Sequence, residues 1–150
     1  MPEPASETVH ASCVLAGARA VLIRGPAGSG KSRLALALVD AARSGGLPFA
    51  RLVADDRVAL AAVHGRLIAS VPGTTRGLIE VRGLGIRRIE NEPRAVIGLV
   101  VDLASQDAAR LPAAAAANCE ILGVRLPRLP VAPEHPLPIV LAGISTVPHA

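Results

Sequence analysis

Aromatic residues are almost absent from this chain of 150 residues, which has one phenylalanine, Phe49, and neither tryptophan nor tyrosine. Proteins that bind single-stranded nucleic acid commonly stack the bases on aromatic side chains, so this class of function has little support. Hydrophobic residues nevertheless make up 51% of the chain, enough to bury one sizeable core. We therefore expect one domain with an aliphatic core and no nucleic-acid partner.

Lysine is scarce as well. Of the 16 basic residues, Lys31 is the single lysine and the rest are arginine, against 12 acidic residues and a net charge of +4. The arginines are scattered between positions 19 and 128 without a run longer than Arg87-Arg88, which favours a solvated basic surface over a nucleic-acid patch. Lysine offers a compact, rotatable ammonium where arginine offers a flat fork, so we expect Lys31 to contact phosphate.

Cysteine and long apolar runs are also limited. Cys13 and Cys119 lie in aliphatic surroundings without the spacing of a metal or redox motif, which is typical of small buried thiols in a reducing compartment. The longest apolar stretch, residues 95–103, is too short to span a bilayer. Residues 1–12 lack the basic and apolar regions of a signal peptide, so we expect a cytoplasmic protein without a membrane partner.

A phosphate-binding motif is present in full. It has the form G-x-x-x-x-G-K-[ST] and reads Gly25-Pro26-Ala27-Gly28-Ser29-Gly30-Lys31-Ser32. In such loops small residues let backbone N–H groups surround a phosphate at a helix N-terminus. Lys31 would bridge the β- and γ-phosphates and the Ser32 hydroxyl would bind Mg²⁺. We therefore predict that residues 25–32 bind the phosphates of a nucleotide.

The patterns on either side of this loop suit that mechanism. Two β-type runs, residues 10–15 and 20–23, predict a hairpin whose second strand leads into the loop. Residues 32–43 contain strong helix formers with apolar residues at helical spacing, and Gly45-Gly46 predicts the helix end. The loop is therefore expected between a strand and a helix.

Carboxylates follow two predicted strands, and each is a candidate magnesium ligand. Residues 51–54 predict a strand that ends on Asp55-Asp56, and a strand over residues 95–103 contains Asp102 near its end, in the general form of a Walker B strand. Two adjacent carboxylates at a strand end suggest a bound cation or a transferable proton, although a simple turn is the alternative. From these patterns alone Asp102 rivals Asp55 and Asp56.

Three later segments have weaker patterns. A strand over residues 78–86 would place Glu80 and Arg82 on one face, an arrangement that is often only a surface ion pair. Residues 105–110 predict a short helix before an alanine run at 113–117. The proline-rich tail from residue 127 favours extended edge strands and turns.

Taken in order, these residues resemble a known family, the catalytic domain of HPr kinase/phosphorylase. The resemblance depends on His10, the loop, and two specific stretches, Leu52-Val53-Ala54-Asp55-Asp56-Arg57-Val58 and Ile79-Glu80-Val81-Arg82-Gly83-Leu84-Gly85-Ile86. It covers roughly residues 10–144. It implies an α/β fold, the P-loop-containing HPr kinase-like (PEP carboxykinase-like) fold with a mixed sheet. The expected organisation is a flexible N-terminal segment, residues 1–9, and one catalytic domain, residues 10–150.

The resemblance also implies an activity. Members are ATP-dependent serine kinases that use Mg²⁺ to phosphorylate an HPr-type phosphocarrier protein of the phosphotransferase system, and so regulate carbon or nitrogen metabolism. Many also run the reverse phosphorolysis. Carried over by position, Asp55 matches the residue that takes the proton of the target serine, and Ser32 and Glu80 match magnesium ligands. Asp56 is a further candidate magnesium ligand, as one of the two adjacent carboxylates at the strand end. The other matched catalytic residues are His10, Lys31, Arg82 and Arg110, and residues 126–130 are similar to a segment linked to dephosphorylation.

The chain departs from the family pattern in two ways. Arg33 stands where the family usually has glutamate. The longer members have an N-terminal domain and C-terminal helices that contact the carrier and neighbouring subunits, whereas this length resembles the short forms of α-proteobacteria. A homo-oligomer and the phosphorylase reaction therefore stay open. Two other functions also stay open: a small-molecule kinase that uses Asp102, and a nucleotide-binding regulatory module without phosphoryl transfer.

Overall fold

The computed structural model describes residues 4–108 and 113–146, which form a mixed α/β fold. The strands are β1 (Ser6–His10), β2 (Ser12–Ala16), β3 (Arg19–Arg24), β4 (Ala50–Ala54), β5 (Arg57–Val63), β6 (Arg66–Ser70), β7 (Leu78–Val81), β8 (Gly85–Arg88), β9 (Arg94–Leu103), β10 (Asn118–Ile121) and β11 (Val124–Val131). The α-helices are α1 (Lys31–Arg43) and α2 (Pro136–Ser145), and a short 3₁₀ helix covers Ala114–Ala117. No helix in the described ranges is long and apolar enough to cross a membrane.

The predicted mixed sheet is confirmed. Among the described residues, nine strands form one sheet whose main path is β1-β5-β6-β9-β3-β2-β4, and β11 joins β9 and β10 beside it. Strands β3, β9 and β11 are parallel, with Asp102 of β9 opposite Arg24 on one side and Pro130 on the other. Because β2 is antiparallel to both β3 and β4, β4 runs in the same direction as β3. The carboxyl ends of β3, β4, β9 and β11 therefore meet at one edge.

Aliphatic side chains fill both faces of this sheet. Helix α1 packs on one face through Leu34, Ala35, Leu38 and Val39, which recur at helical spacing. The helix ends at Arg43, and the C-cap Ser44 is followed by Gly45 in the left-handed region (φ 86°). The other face has its own cluster of buried aliphatic residues, which includes the fully buried Cys13. Burial raises the pKa of that thiol to about 12. Cys13 therefore agrees with the prediction of a small buried thiol, whereas Cys119 is only partly buried.

The N-terminal residues contribute a strand. Residues 6–9, expected from the sequence to lie in a flexible segment, pair with β5 in a continuous register from Ser6↔Ala61 to His10↔Arg57. Val9 packs against the core, but the strand offers no other apolar residue, so its pattern is too weak to detect. The predicted strand at residues 10–15 begins instead at Ser12.

One predicted strand is a hairpin. Residues 78–86 were expected to form a single strand with Glu80 and Arg82 on one face, and this prediction is wrong because β7 ends at Val81 and Arg82 lies in the turn before β8. Ile79 and Val81 alternate with Glu80 and Arg82 and so imitate a longer strand. Gly83 and Gly85 instead take φ values of 90° and 88°, which reverse the chain.

The C-terminal part follows the proline pattern only partly. Strand β11 contains two prolines and confirms the predicted extended structure, while Pro136 begins α2, a position where proline suits a helix. Residues 105–108 form a turn and not the start of the predicted short helix. The remainder of that prediction, residues 109 and 110, lies outside the described residues.

Candidate active site

The glycine-rich segment connects β3 to α1 at the edge where the strand ends meet. Gly30 is the N-cap of α1 with φ 96°, and Gly28 has φ 78°. A Cβ on Gly25 would lie 2.5 Å from Ser29 Oγ and 3.1 Å from Leu103 Cβ. Each glycine of the motif therefore occupies a position where a side chain would be strained or would collide.

The start of α1 is electropositive. Lys31 Nζ donates hydrogen bonds to the carbonyl oxygens of Gly25 (2.9 Å) and Pro26 (3.2 Å), so the ammonium lies over the loop. The first turn of α1 has no acidic residue, and its N-cap makes no side-chain hydrogen bond. Arg33 adds a second positive charge beside Lys31. An anion is favoured at such a helix end.

Asp55 lies among hydrogen-bond donors from three other elements. It is 6% exposed, and its Oδ1 accepts hydrogen bonds from Ser12 Oγ (2.6 Å) and Ser32 Oγ (2.7 Å). Its Oδ2 accepts from Ser32 Oγ (2.9 Å) and from the backbone N–H of Glu80 (3.2 Å). A buried carboxylate needs such donors, and these tie the end of β4 to β2, α1 and β7.

Sequence reasoning missed Ser12. Strand β2 pairs with β4 so that Cys13 lies opposite Ala54, which brings Ser12 beside Asp55. Ser12 and Asp55 are the buried polar side chains in the part of the chain that the structure describes. The available signal was a hydroxyl at the head of an apolar strand, but a serine there is equally typical of a core position.

Asp56 and His10 lie together at the exposed rim of the site, beside the buried Asp55. Asp56 has φ 68°, a left-handed conformation that turns its side chain outward from the buried Asp55. His10 Nδ1 is 3.5 Å from Asp56 Oδ1, and both side chains are mostly exposed. The two adjacent carboxylates therefore occupy different environments.

The other sequence-predicted residues are less closely grouped. Glu80 reaches Asp55 through its backbone N–H while its side chain is exposed, and Arg82 is exposed in the β7–β8 turn. Arg110 lies outside the described residues.

Asp102 belongs to a separate network of arginines. Its two carboxylate oxygens accept hydrogen bonds from Arg24 (2.7 and 2.8 Å) and from Arg128 Nε. Its strand neighbours Val101 and Leu103 join the core on the α1 face, so Asp102 lies on the opposite face of the sheet. This carboxylate is neutralised and turned away from α1.

Arg128 extends that network beyond Asp102. Its Nη1 donates to Asp107 Oδ2 (2.7 Å) and to the Ala116 carbonyl (3.0 Å), and its Nη2 donates to Asp107 Oδ1 (3.0 Å) and Ser105 Oγ (3.1 Å). The hydrogen bond with Asp107 raises the pKa of Arg128, which stays charged at any pH where the protein is folded.

Acid should weaken this network once the pH is low enough to protonate Asp102. Burial raises the pKa of Asp102, but hydrogen bonds from Arg24 and Arg128 outweigh it, so the net pKa lies below the ordinary 3.8. A lowered folded-state pKa means that the stabilisation is complete above the unfolded value and is lost as the pH falls through the folded one. We expect Asp102→Asn to be less stable than the wild type at pH 7 in urea unfolding, with a difference that shrinks below about pH 4. A difference that does not depend on pH would contradict this assignment.

Comparisons with known proteins agree with the resemblance. The sequence model of the family described as HPr serine kinase C-terminal domain matches residues 4–142. The chain is 47% identical to the HPr kinase/phosphorylase of Clostridium tetani over 66 residues, 44% of this chain and 19% of that protein. It is 33% identical to the HPr kinase/phosphorylase of Lactobacillus acidophilus over 108 residues, 67% of this chain and 31% of that protein. The chain therefore spans only about a fifth to a third of the length of these relatives.

A solved structure extends the likeness to the fold. The Hpr(Ser) kinase/phosphatase from Coxiella burnetii superposes with a TM-score of 0.75 at 26% sequence identity, covering 92% of this chain and 93% of that one. With the family match over residues 4–142, the chain belongs to the HPr serine kinase C-terminal domain family.

Proposed function

We propose that this chain is the catalytic domain of an ATP-dependent serine kinase, a transferase that phosphorylates an HPr-type phosphocarrier protein. The observation that supports this most directly is the hydrogen bond from Ser32, at the end of the glycine-rich loop, to the buried Asp55. This hydrogen bond joins Ser32, which is expected to bind at the nucleotide, to Asp55, which is expected to accept the proton of the acceptor serine. The proposal treats residues 10–150 as the domain, with a cytoplasmic location.

In phosphoryl transfer, the glycine-rich loop would bind the phosphates and Asp55 would transfer the proton of the acceptor serine. Residues 25–32 hold the phosphates of ATP, where Lys31 exchanges its two carbonyl partners for phosphate oxygens. Catalysis of this reaction consists mainly of positioning and of neutralising charge on the transferred group. A serine hydroxyl is a poor nucleophile, so Asp55 accepts its proton during transfer and returns one in the reverse reaction.

The remaining predicted residues would complete the charge balance. Arg82 and Arg110 are proposed to neutralise phosphate charge, and His10, paired with Asp56, to line the rim where the acceptor serine enters. Because His10 and Asp56 are both exposed, this pair can rearrange when the acceptor binds.

We propose that this site holds a magnesium ion. The Ser32 hydroxyl and the carboxylates of Glu80 and Asp56 are hard oxygen ligands of the kind that Mg²⁺ prefers. Within the described ranges no three His, Cys, Asp or Glu side chains converge into a metal-binding group. An ion held here would take several of its ligands from phosphates and water. When bound, Mg²⁺ would neutralise the negative charge of the phosphates.

The alternatives have less support. A small-molecule kinase that uses Asp102 conflicts with the two arginines that occupy its oxygens. A regulatory module that binds nucleotide without transfer is motivated by Arg33, the cation at the position where the family usually has glutamate. It predicts ATP binding with no phosphoryl transfer.

The test is direct transfer of label. The purified chain is incubated with Mg²⁺, ATP labelled on the γ-phosphate and HPr-type carriers, including a variant of each carrier whose target serine is replaced by alanine. We expect label on the wild-type carrier and none on the alanine variant. Release of that label after addition of excess phosphate would show that the chain also catalyses phosphorolysis. Nucleotide binding without label on any carrier would overturn the kinase and favour the module.

A further inference from the structure

The β7–β8 hairpin is held against β4 at two places. In the middle, the backbone N–H of Glu80 donates to Asp55 Oδ2. At the open end, Asn91 forms a parallel bridge with Leu52, and the N–H of Glu92 donates to the Leu52 carbonyl (2.9 Å). Strand β4, which Asp55 directly follows, therefore also anchors the open end of the hairpin.

The Asn91 side chain closes that base. Its Nδ2 donates to the Ile89 carbonyl (2.9 Å) after β8, and its Oδ1 accepts a hydrogen bond from Arg76 Nε (2.9 Å) before β7. Between them, the N–H of Ile89 donates to the carbonyl of Gly77 (2.8 Å). One carboxamide thus connects the chain entering the hairpin with the chain leaving it.

Gly77 makes room for this carboxamide. Its φ is 75°, and a Cβ there would lie 2.5 Å from Asn91 Nδ2 and 3.2 Å from both Asn91 Cγ and the Ile89 carbonyl oxygen. Any larger residue would displace the Asn91 side chain. The position of the Asn91 side chain therefore requires glycine at position 77.

We propose that Asn91 is a positioning residue that fixes the orientation of the β7–β8 hairpin relative to β4. The inference rests on the proposed function, because the hairpin contains Glu80 and Arg82. A two-stranded hairpin is marginally stable alone, and β8 is exposed along its whole length. The buried Ile79 attaches β7 to the core, and Asn91 prevents the hairpin from pivoting about that point. Glu80 thereby stays against Asp55.

A spectroscopic experiment tests the positioning without any assay of activity. The chain has no tryptophan, so Leu84→Trp places a single indole at the hairpin tip, where Leu84 is 62% exposed. We expect Asn91→Ala to lower the fluorescence anisotropy of that indole and to speed hydrogen exchange in β7 and β8. Asn118→Ala is the matched control, because the hydrogen bond of the Asn118 side chain among the described residues is a long one, 3.5 Å to the Ala114 carbonyl. Unchanged anisotropy and exchange in Asn91→Ala would overturn the proposal.

A kinetic experiment tests its consequence for transfer. A displacement of about 1 Å can cost a hundredfold in rate, so we expect Asn91→Ala to lower kcat about 10- to 100-fold. The KM for ATP should change little, because the hydrogen bonds of the Asn91 side chain in the described residues go to Arg76 and Ile89 and not to residues 25–32. Gly77→Ala should reproduce the loss, and the double variant should lose less than the product of the two. Independent, multiplicative losses or an unchanged kcat would contradict the inference. If the wild type itself transfers no phosphate, the proposed function fails while the anisotropy result still decides the positioning.

Discussion

Asp55→Asn is expected to lower the rate of phosphoryl transfer to the carrier about 10²- to 10⁴-fold, the range that a positioned general base contributes. Asparagine has nearly the same shape, and its carbonyl oxygen can still accept a hydrogen bond from Ser12 or Ser32. It has too little basicity to take the proton of the attacking serine. The measurement is single-turnover transfer from labelled ATP, with nucleotide binding and urea unfolding followed in parallel.

Two aspartates serve as controls for that result. Asp40→Asn removes an exposed charge that pairs with Arg43 at 3.3 Å, and it should leave the rate unchanged. Asp102→Asn should lose stability but keep transfer within a few-fold. Retained transfer in Asp55→Asn together with its loss in Asp102→Asn would overturn the assignment and favour the small-molecule kinase.

Lys31→Arg is expected to lower kcat about 10²- to 10³-fold, the cost of losing one well-placed donor to developing charge. The charge is kept, but the guanidinium fork is larger and flatter than the ammonium that fits over the Gly25 and Pro26 carbonyls. Steady-state kinetics with varied ATP measure the effect. Arg43→Lys, at the other end of α1, is the matched control.

The single lysine allows a second check of the same prediction. Apart from the chain's amino terminus, an amine-directed reagent has only Lys31 to modify. ATP with Mg²⁺ should protect that side chain from modification. A fully active Lys31→Arg, or no protection by ATP, would show that the position does not contact phosphate.

The parts of the fold that local patterns determine were predictable. The hairpin before the glycine-rich loop, the helix after it and the long strand β9 each have a periodic run and an identifiable end. The hairpin at residues 78–88 was misread, because Ile79 and Val81 alternate with Glu80 and Arg82 like a strand, and glycine conformations then reverse the chain.

The choice between Asp55 and Asp102 was not available from local pattern. Both follow or end apolar strands, and what separates them is the set of side chains they meet. Asp102 meets Arg24 and Arg128, and Asp55 meets Ser12, partners distant in the chain. Only the pairing of strands brings such residues together. The role of Arg110 stays a prediction.

The five hydrogen bonds of Arg128 have a consequence for how the chain can vary. One guanidinium holds Asp102 of β9, Ser105 and Asp107 in the turn after it, and the carbonyl of Ala116 in the 3₁₀ helix. A lysine in its place would keep the charge but not the planar fork of donors that reaches these separate acceptors. Position 128 is therefore expected to tolerate substitution less well than the arginines that are scattered over the surface.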